Sequence, residues 1–129
     1  MTLEKLTAIS PIDGRYGDIT EGLRDIFSEY GLIRYRILVE IQWLQDLAAH
    51  TDIREIGPFT VPTNQFLDAI LENFSLQDGK RIKELEQTTN HDVKAIEYFL
   101  REKAAANDEI RSCSEFLHFA CIRSAKGKW

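Results

Sequence analysis

The stretch ELEQTTNHDVKA, residues 84–95, fixes where one helical pattern ends and the next begins. Beyond it, Val93, Ile96, Phe99 and Leu100 recur at helical spacing, which predicts a helix over residues 92–103 with that face buried. Thr89 reads as its N-cap, and Asp92, three positions on, completes a capping-box-like pair for the first-turn N–H groups. Capping accounts for Thr89 and Asp92 without any function. It does not account for Asn90 and His91, hydrogen-bonding side chains in a first turn where helix propensity favours others. A helix N-terminus carries partial positive charge and free N–H donors, so these side chains stand beside a natural place for a phosphate or carboxylate. On residues alone two readings stay open: a polar helix start, or a ligand site.

Toward the N-terminus, Ser75 with Asp78 gives a second cap signal, opening a helix that carries Ile82 and Leu85 to about Gln87. Lys80, Arg81 and Lys83 form its solvated face. A shorter helix is expected from Thr63, with Phe66, Leu67, Ile70, Leu71 and Phe74 on its buried side, and Gly57, Pro58 and Pro62 mark residues 51–62 as a connecting loop. Between about Thr20 and His50 the apolar positions Leu23, Ile26, Phe27, Tyr30, Ile33, Ile37, Ile41, Leu44 and Ala48 recur every three or four residues. That is the pattern of a long amphipathic helix, which Gly31 bends or interrupts. At about 1.5 Å per residue it would reach roughly 45 Å, so it either packs on several shorter helices or offers part of its face outward. Tyr35 and Trp43 fall off the main stripe and read as half-exposed packing residues or secondary contacts.

Residues 6–18 hold Pro11, Gly14 and Gly17 among polar side chains and read as an ordered loop. Arg15 and Tyr16 in it can clamp an anion, since a guanidinium offers paired donors that match a phosphate and a phenol adds one more. The alternative is local: Arg15 paired with Asp13 or Asp18, and the Tyr16 ring on the core. Toward the C-terminus, Glu97 and Arg101 support their helix at i,i+4, residues 104–108 form a break, and Asn107 caps the next turn. His118, between Phe116 and Phe119, reads as a packing residue rather than a catalyst.

A chain of 129 residues fits one domain. Such a chain can bury roughly 65% of its unfolded surface. Sixteen Lys and Arg against 21 Asp and Glu give a formal charge of −5, with no basic block, so nucleic acid is not an expected partner. No apolar run approaches the roughly 20 residues that span a bilayer, and the N-terminus lacks the core of a signal peptide. The expectation is a cytoplasmic protein with no membrane partner. On one helix Cys113 and Cys121 would lie about 12 Å apart along its axis, other backbone paths would bring them closer, and two cysteines without a secretion signal read as free thiols. Neither Cys nor His spacing resembles a zinc site, and no metal is expected.

Four stretches carry a resemblance: SPIDGRYGD (residues 10–18), FSEYGLIRYR (27–36), TTNHDVKAIEYFLREK (88–103) and SEFLHFAC (114–121). In this order they resemble the N-terminal part of bacterial adenylosuccinate lyases, members of the fumarase/aspartase superfamily, over nearly the whole chain. The resemblance implies an all-α fold: a small helical domain with one long amphipathic helix and several shorter ones, the N-terminal domain of a larger helical-bundle lyase. It assigns Arg15 and Tyr16 to nucleotide binding, with the guanidinium as phosphate anchor, and brings Asn90, His91 and Asp92 into the same substrate site, His91 as an auxiliary catalytic residue. It implies no cofactor, a homotetramer, and adenylosuccinate or AMP as ligand.

After Cys121 the pattern stops. Family members continue with a Thr-Ser-Glu-Asp element; here Ile122, Arg123, Ser124 and Ala125 stand instead, followed by Lys126, Gly127, Lys128 and Trp129. Ile122 and Arg123 cannot take hydroxyl roles. The expected division is therefore a lyase-like domain over residues 1–121 and a non-family tail over 122–129, which reads as a truncation, an appended remnant or an altered reading frame. The family's base is a serine on a flexible loop and its acid a histidine further along, and neither segment is present. Each acid or base contributes about 10² to 10⁴ in rate, so the chain alone is expected to be inactive and its site incomplete. The rival expectation is a small helical interaction module without nucleotide binding.

Overall fold

The computed structural model describes residues 4–117. Among these every regular element is a helix, as expected, but the long helix starts later than its apolar stripe suggests. Single helical turns at Gly17–Thr20 (α1), Glu21–Leu23 and Arg24–Phe27 (α2) come first, and the long helix α3 then runs over Glu29–Ala49. The break is at Ser28, whose backbone is extended (φ −84°, ψ 170°), and not at Gly31. Ser28 makes that break tolerable: its hydroxyl donates to the Arg24 carbonyl and accepts the Gly31 N–H at 3.1 Å. Gly31 has a different task. A Cβ there would stand 2.6 Å from the Ile26 carbonyl oxygen and 2.7 Å from that of Asp25, so only glycine lets the end of α2 lie so close to α3.

By its internal contacts the chain divides into two units, Met1–Leu32 and Ile33–Trp129. In the first, residues 4–16 form a series of turns held by backbone bonds such as Gly14 N–H to Ser10 O (2.9 Å) and Tyr16 N–H to Pro11 O (2.8 Å). A Cβ at Gly14 would meet the Lys5 carbonyl at 2.5 Å, which makes that position glycine-only as well. Leu23, Ile26 and Phe27, the first part of the apolar stripe, are exposed, Phe27 by 79%, as the outward-facing alternative for that stripe allows. Periodicity identifies an apolar face; it does not say that the chain itself covers that face.

In the second unit the expectation of a buried stripe holds. Ile33, Ile37, Ile41, Leu44 and Ala48 of α3 are all buried, together with Leu47. Helix α4 (Val61–Glu72) starts two residues before the expected Thr63, because Pro62 sits in the first turn, where its missing N–H loses no helical bond. Helix α5 (Leu76–Thr89) opens with the capping box read from Ser75 and Asp78, Ser75 N–H reaching Asp78 Oδ2 at 2.9 Å. It packs against α6 (Asp92–Ala104), with Ile82 facing a core that includes Ile96, Phe99 and Leu100. Phe74, just before α5, meets Phe99 edge-on at 6.0 Å between centroids. Asn107 caps the one-turn helix α7 (Asp108–Arg111) through Ile110 N–H at 3.1 Å, also as expected. Cys113 is a buried free thiol. His118, Cys121 and the tail over 122–129 lie outside the described residues.

Candidate functional site at the α5–α6 corner

The corner between α5 and α6 holds Asn90, His91 and Asp92. Helix α5 continues through Thr89, so the chain must leave it before α6 can start. Asn90 does this in the left-handed region (φ 51°, ψ 30°), which asparagine tolerates better than most residues, while its N–H still bonds Glu86 O at 2.8 Å. His91 then turns extended (φ −152°, ψ 118°) and becomes the N-cap of α6, its Nδ1 accepting Lys94 N–H at 3.2 Å. Thr89 is therefore not the cap, and the expected pairing of Thr89 with Asp92 does not form. Its hydroxyl instead braces the corner, donating to His91 O at 3.0 Å and accepting His91 N–H at 3.3 Å.

Asp92 has two tasks. Its Oδ1 accepts Val93 N–H at 2.8 Å, and its Oδ2 lies 2.7 Å from Arg36 Nη1 on α3. Partial burial pushes its carboxyl pKa up, but the Val93 N–H and the Arg36 charge outweigh that and hold it below the ordinary carboxylate range. The Val93 and Lys94 amides, two of the donors expected to be free, are thus engaged by the corner's own side chains. With Nδ1 accepting a backbone N–H, the hydrogen-bond network assigns the proton of neutral His91 to Nε2. His91 is one-third exposed, so that nitrogen belongs to a side chain reachable from solvent. Arg36 was not singled out from the sequence as a site residue; its only signal was its place in FSEYGLIRYR.

Arg15 and Tyr16 belong to the first unit and Asn90, His91 and Asp92 to the second. The Arg15 guanidinium lies over the Tyr16 ring, 4.7 Å from its centroid, and both residues are exposed. The local pairing considered for Arg15 is absent, because Asp18 binds Lys5 (2.7 Å) and Asp13 binds Arg24 (3.4 Å). The Tyr16 ring is not a core residue either. An open cleft of about 770 Å³ in this unit is lined by residues including Lys5, Asp13, Asp18, Arg24 and Phe27, but not by Arg15 or Tyr16. Among the described residues the guanidinium has an aromatic platform and no acidic partner, an arrangement able to receive an anion.

Fold and corner define a helical domain in which a capping histidine and an ion-paired aspartate share one helix start. No family model matches the chain. It is 60% identical over 121 residues to an adenylosuccinate lyase of Vibrio cholerae serotype O1, 57% to that of Escherichia coli strain K12 and 56% to that of Haemophilus influenzae. In each case the match covers 94% of this chain and 26% of the relative. Over those residues the chain belongs with the adenylosuccinate lyases, and it spans about a quarter of the length of the curated relatives it matches, as an N-terminal fragment would.

Proposed function

We propose that the chain supplies part of the nucleotide-substrate site of an adenylosuccinate lyase. In this reading Arg15 anchors a phosphate with help from Tyr16, Asn90 hydrogen-bonds substrate, and His91 orients it or assists proton transfer through Nε2. Asp92 holds the corner. The whole enzyme would remove a proton next to a carboxylate, expel the amine and release fumarate, giving AMP from adenylosuccinate and acting likewise on the succinyl-carboxamide ribotide of purine synthesis. No cofactor is needed for that elimination. Residues 1–121 form the lyase-like part and 122–129 a separate tail. A cytoplasmic homotetramer completes the reading. No helix among the described residues is long and apolar enough to cross a membrane.

The observation that carries the proposal is the identity of 60% over 94% of the chain to a protein of that name. Titration calorimetry with adenylosuccinate tests it: weak binding lost in Arg15→Ala supports a retained half-site, and binding that is unchanged in that variant removes Arg15 from the assignment. A second reading, a helical protein-interaction module, is favoured by the exposure of Ile19 (82%) and Phe27 (79%). It predicts association that is indifferent to nucleotide.

A further inference from the structure

Arg36 reaches the α5–α6 corner from α3. Its side chain is 27% exposed and that of Asp92 44%, so their 2.7 Å contact is partly withdrawn from water. The second Asp92 oxygen, bonded to Val93 N–H, lies 3.7 Å from His91 Nδ1, outside hydrogen-bond range. Two arrangements therefore compete for one ring nitrogen. Unprotonated, Nδ1 accepts Lys94 N–H and caps α6. Protonated, it becomes a donor, releases Lys94 N–H and turns to the Asp92 carboxylate. A carboxylate free to approach favours the second arrangement. One held by a guanidinium and a backbone N–H favours the first.

We propose that Arg36 is the positioning residue of this corner: by holding Asp92 Oδ2 it keeps Oδ1 on the start of α6, keeps His91 Nδ1 an acceptor, and so presents the ring proton on Nε2. Arg36 acts through Asp92. The purpose of the arrangement rests on the substrate reading above, whereas the proton placement rests on geometry alone. Lysine at position 36 keeps the charge but not the planar fork, so it substitutes in part.

The test is the imidazole ¹⁵N spectrum of the full chain at about pH 8, where an ordinary histidine is neutral. The His91 signals are identified among the three histidines by their loss in His91→Gln. The expected wild-type spectrum is that of an Nε2–H ring. In Arg36→Gln the Nδ1–H share should rise about three- to fivefold, the size set by a partly exposed ion pair. Arg36→Lys should shift it less in the same direction, and this milder variant carries the test if Arg36→Gln does not fold. Adding Asp92→Asn to either variant should restore the Nε2–H spectrum. A folded Arg36 variant with an unmoved spectrum, or a shift that persists without the Asp92 carboxylate, overturns the proposal. Adenylosuccinate titrated into the same samples separates the two claims: a proton shift without nucleotide binding keeps the positioning role and removes the substrate reading.

Discussion

Glu109 closes the start of a helix far from it in sequence by accepting the Thr60 N–H on Oε1 at 3.0 Å. Its Oε2 accepts the hydroxyls of Thr60 at 2.9 Å and Thr63 at 2.5 Å. Thr60 is the N-cap of α4 and makes no side-chain cap within its own helix, so a carboxylate from α7 does the work that an N3 acid does in a capping box. The first expected outcome concerns Thr63, which is 3% exposed. Thr63→Val removes the hydroxyl bonded to the carboxylate and should lower stability by about 1–3 kcal/mol in urea unfolding. Glu109→Gln should act in the same direction, and the two effects should be less than additive because they break one network.

Two glycines should respond in opposite ways to alanine. At Gly31 the added Cβ meets backbone oxygens at 2.6 and 2.7 Å, which the end of α2 can relieve only by moving. A loss of about 1–3 kcal/mol is expected, with faster amide exchange over Arg24–Phe27. At Gly22 nothing lies within 4 Å, and alanine should be neutral or stabilise by about 0.4–1 kcal/mol through the unfolded chain.

His91 has a structural task as an N-cap and a proposed chemical one, and substitution can separate them. His91→Ala should cost about 1 kcal/mol, whereas His91→Asn, which keeps a side-chain acceptor at the cap, should retain most of the stability. Both should lose whatever the imidazole does for nucleotide. Thermal unfolding beside nucleotide titration reads the two effects independently. Asn90→Gly should fold as well as the parent, because its φ of 51° suits glycine.

Acid should weaken the second unit through Glu97, whose side chain is 9% exposed and lies 2.9 Å from both Lys94 and Arg101. Burial raises its pKa, but the bonds from Lys94 and Arg101 more than offset this and leave it lowered. For a carboxyl whose folded pKa is depressed, the stabilisation is present above the unfolded pKa and is lost as pH falls through the folded value. Glu109 is lowered too, by its bonds from Thr63 and Thr60, and acts with the same sign. Stability should therefore drop below about pH 4.5, and the pH profile of Glu97→Gln should be flatter there.

What could be read from the sequence was local. The Ser75–Asp78 box, the Asn107 cap, the Glu97–Arg101 pair and the Ile33 to Ala48 stripe each involve partners within a turn or two, where spacing alone fixes the neighbour. The helix start at Asp92 was legible, but its cap was misplaced from His91 to Thr89. Propensity does not show that α5 runs on to Thr89 and leaves through a left-handed Asn90. Contacts between distant segments, Arg36 with Asp92 and Glu109 with Thr60, had no local signal at all. Of the candidate site residues, Asn90, His91 and Asp92 were adjacent already. Folding adds their division of labour and the guanidinium that holds them.

The most direct test of the substrate reading places residues 1–121 of this chain in the Escherichia coli adenylosuccinate lyase, in exchange for the portion they match, and follows fumarate release. The account predicts an active chimera that loses about 10²-fold or more in activity with either Arg15→Ala or His91→Ala. A folded, active chimera indifferent to both substitutions would contradict it.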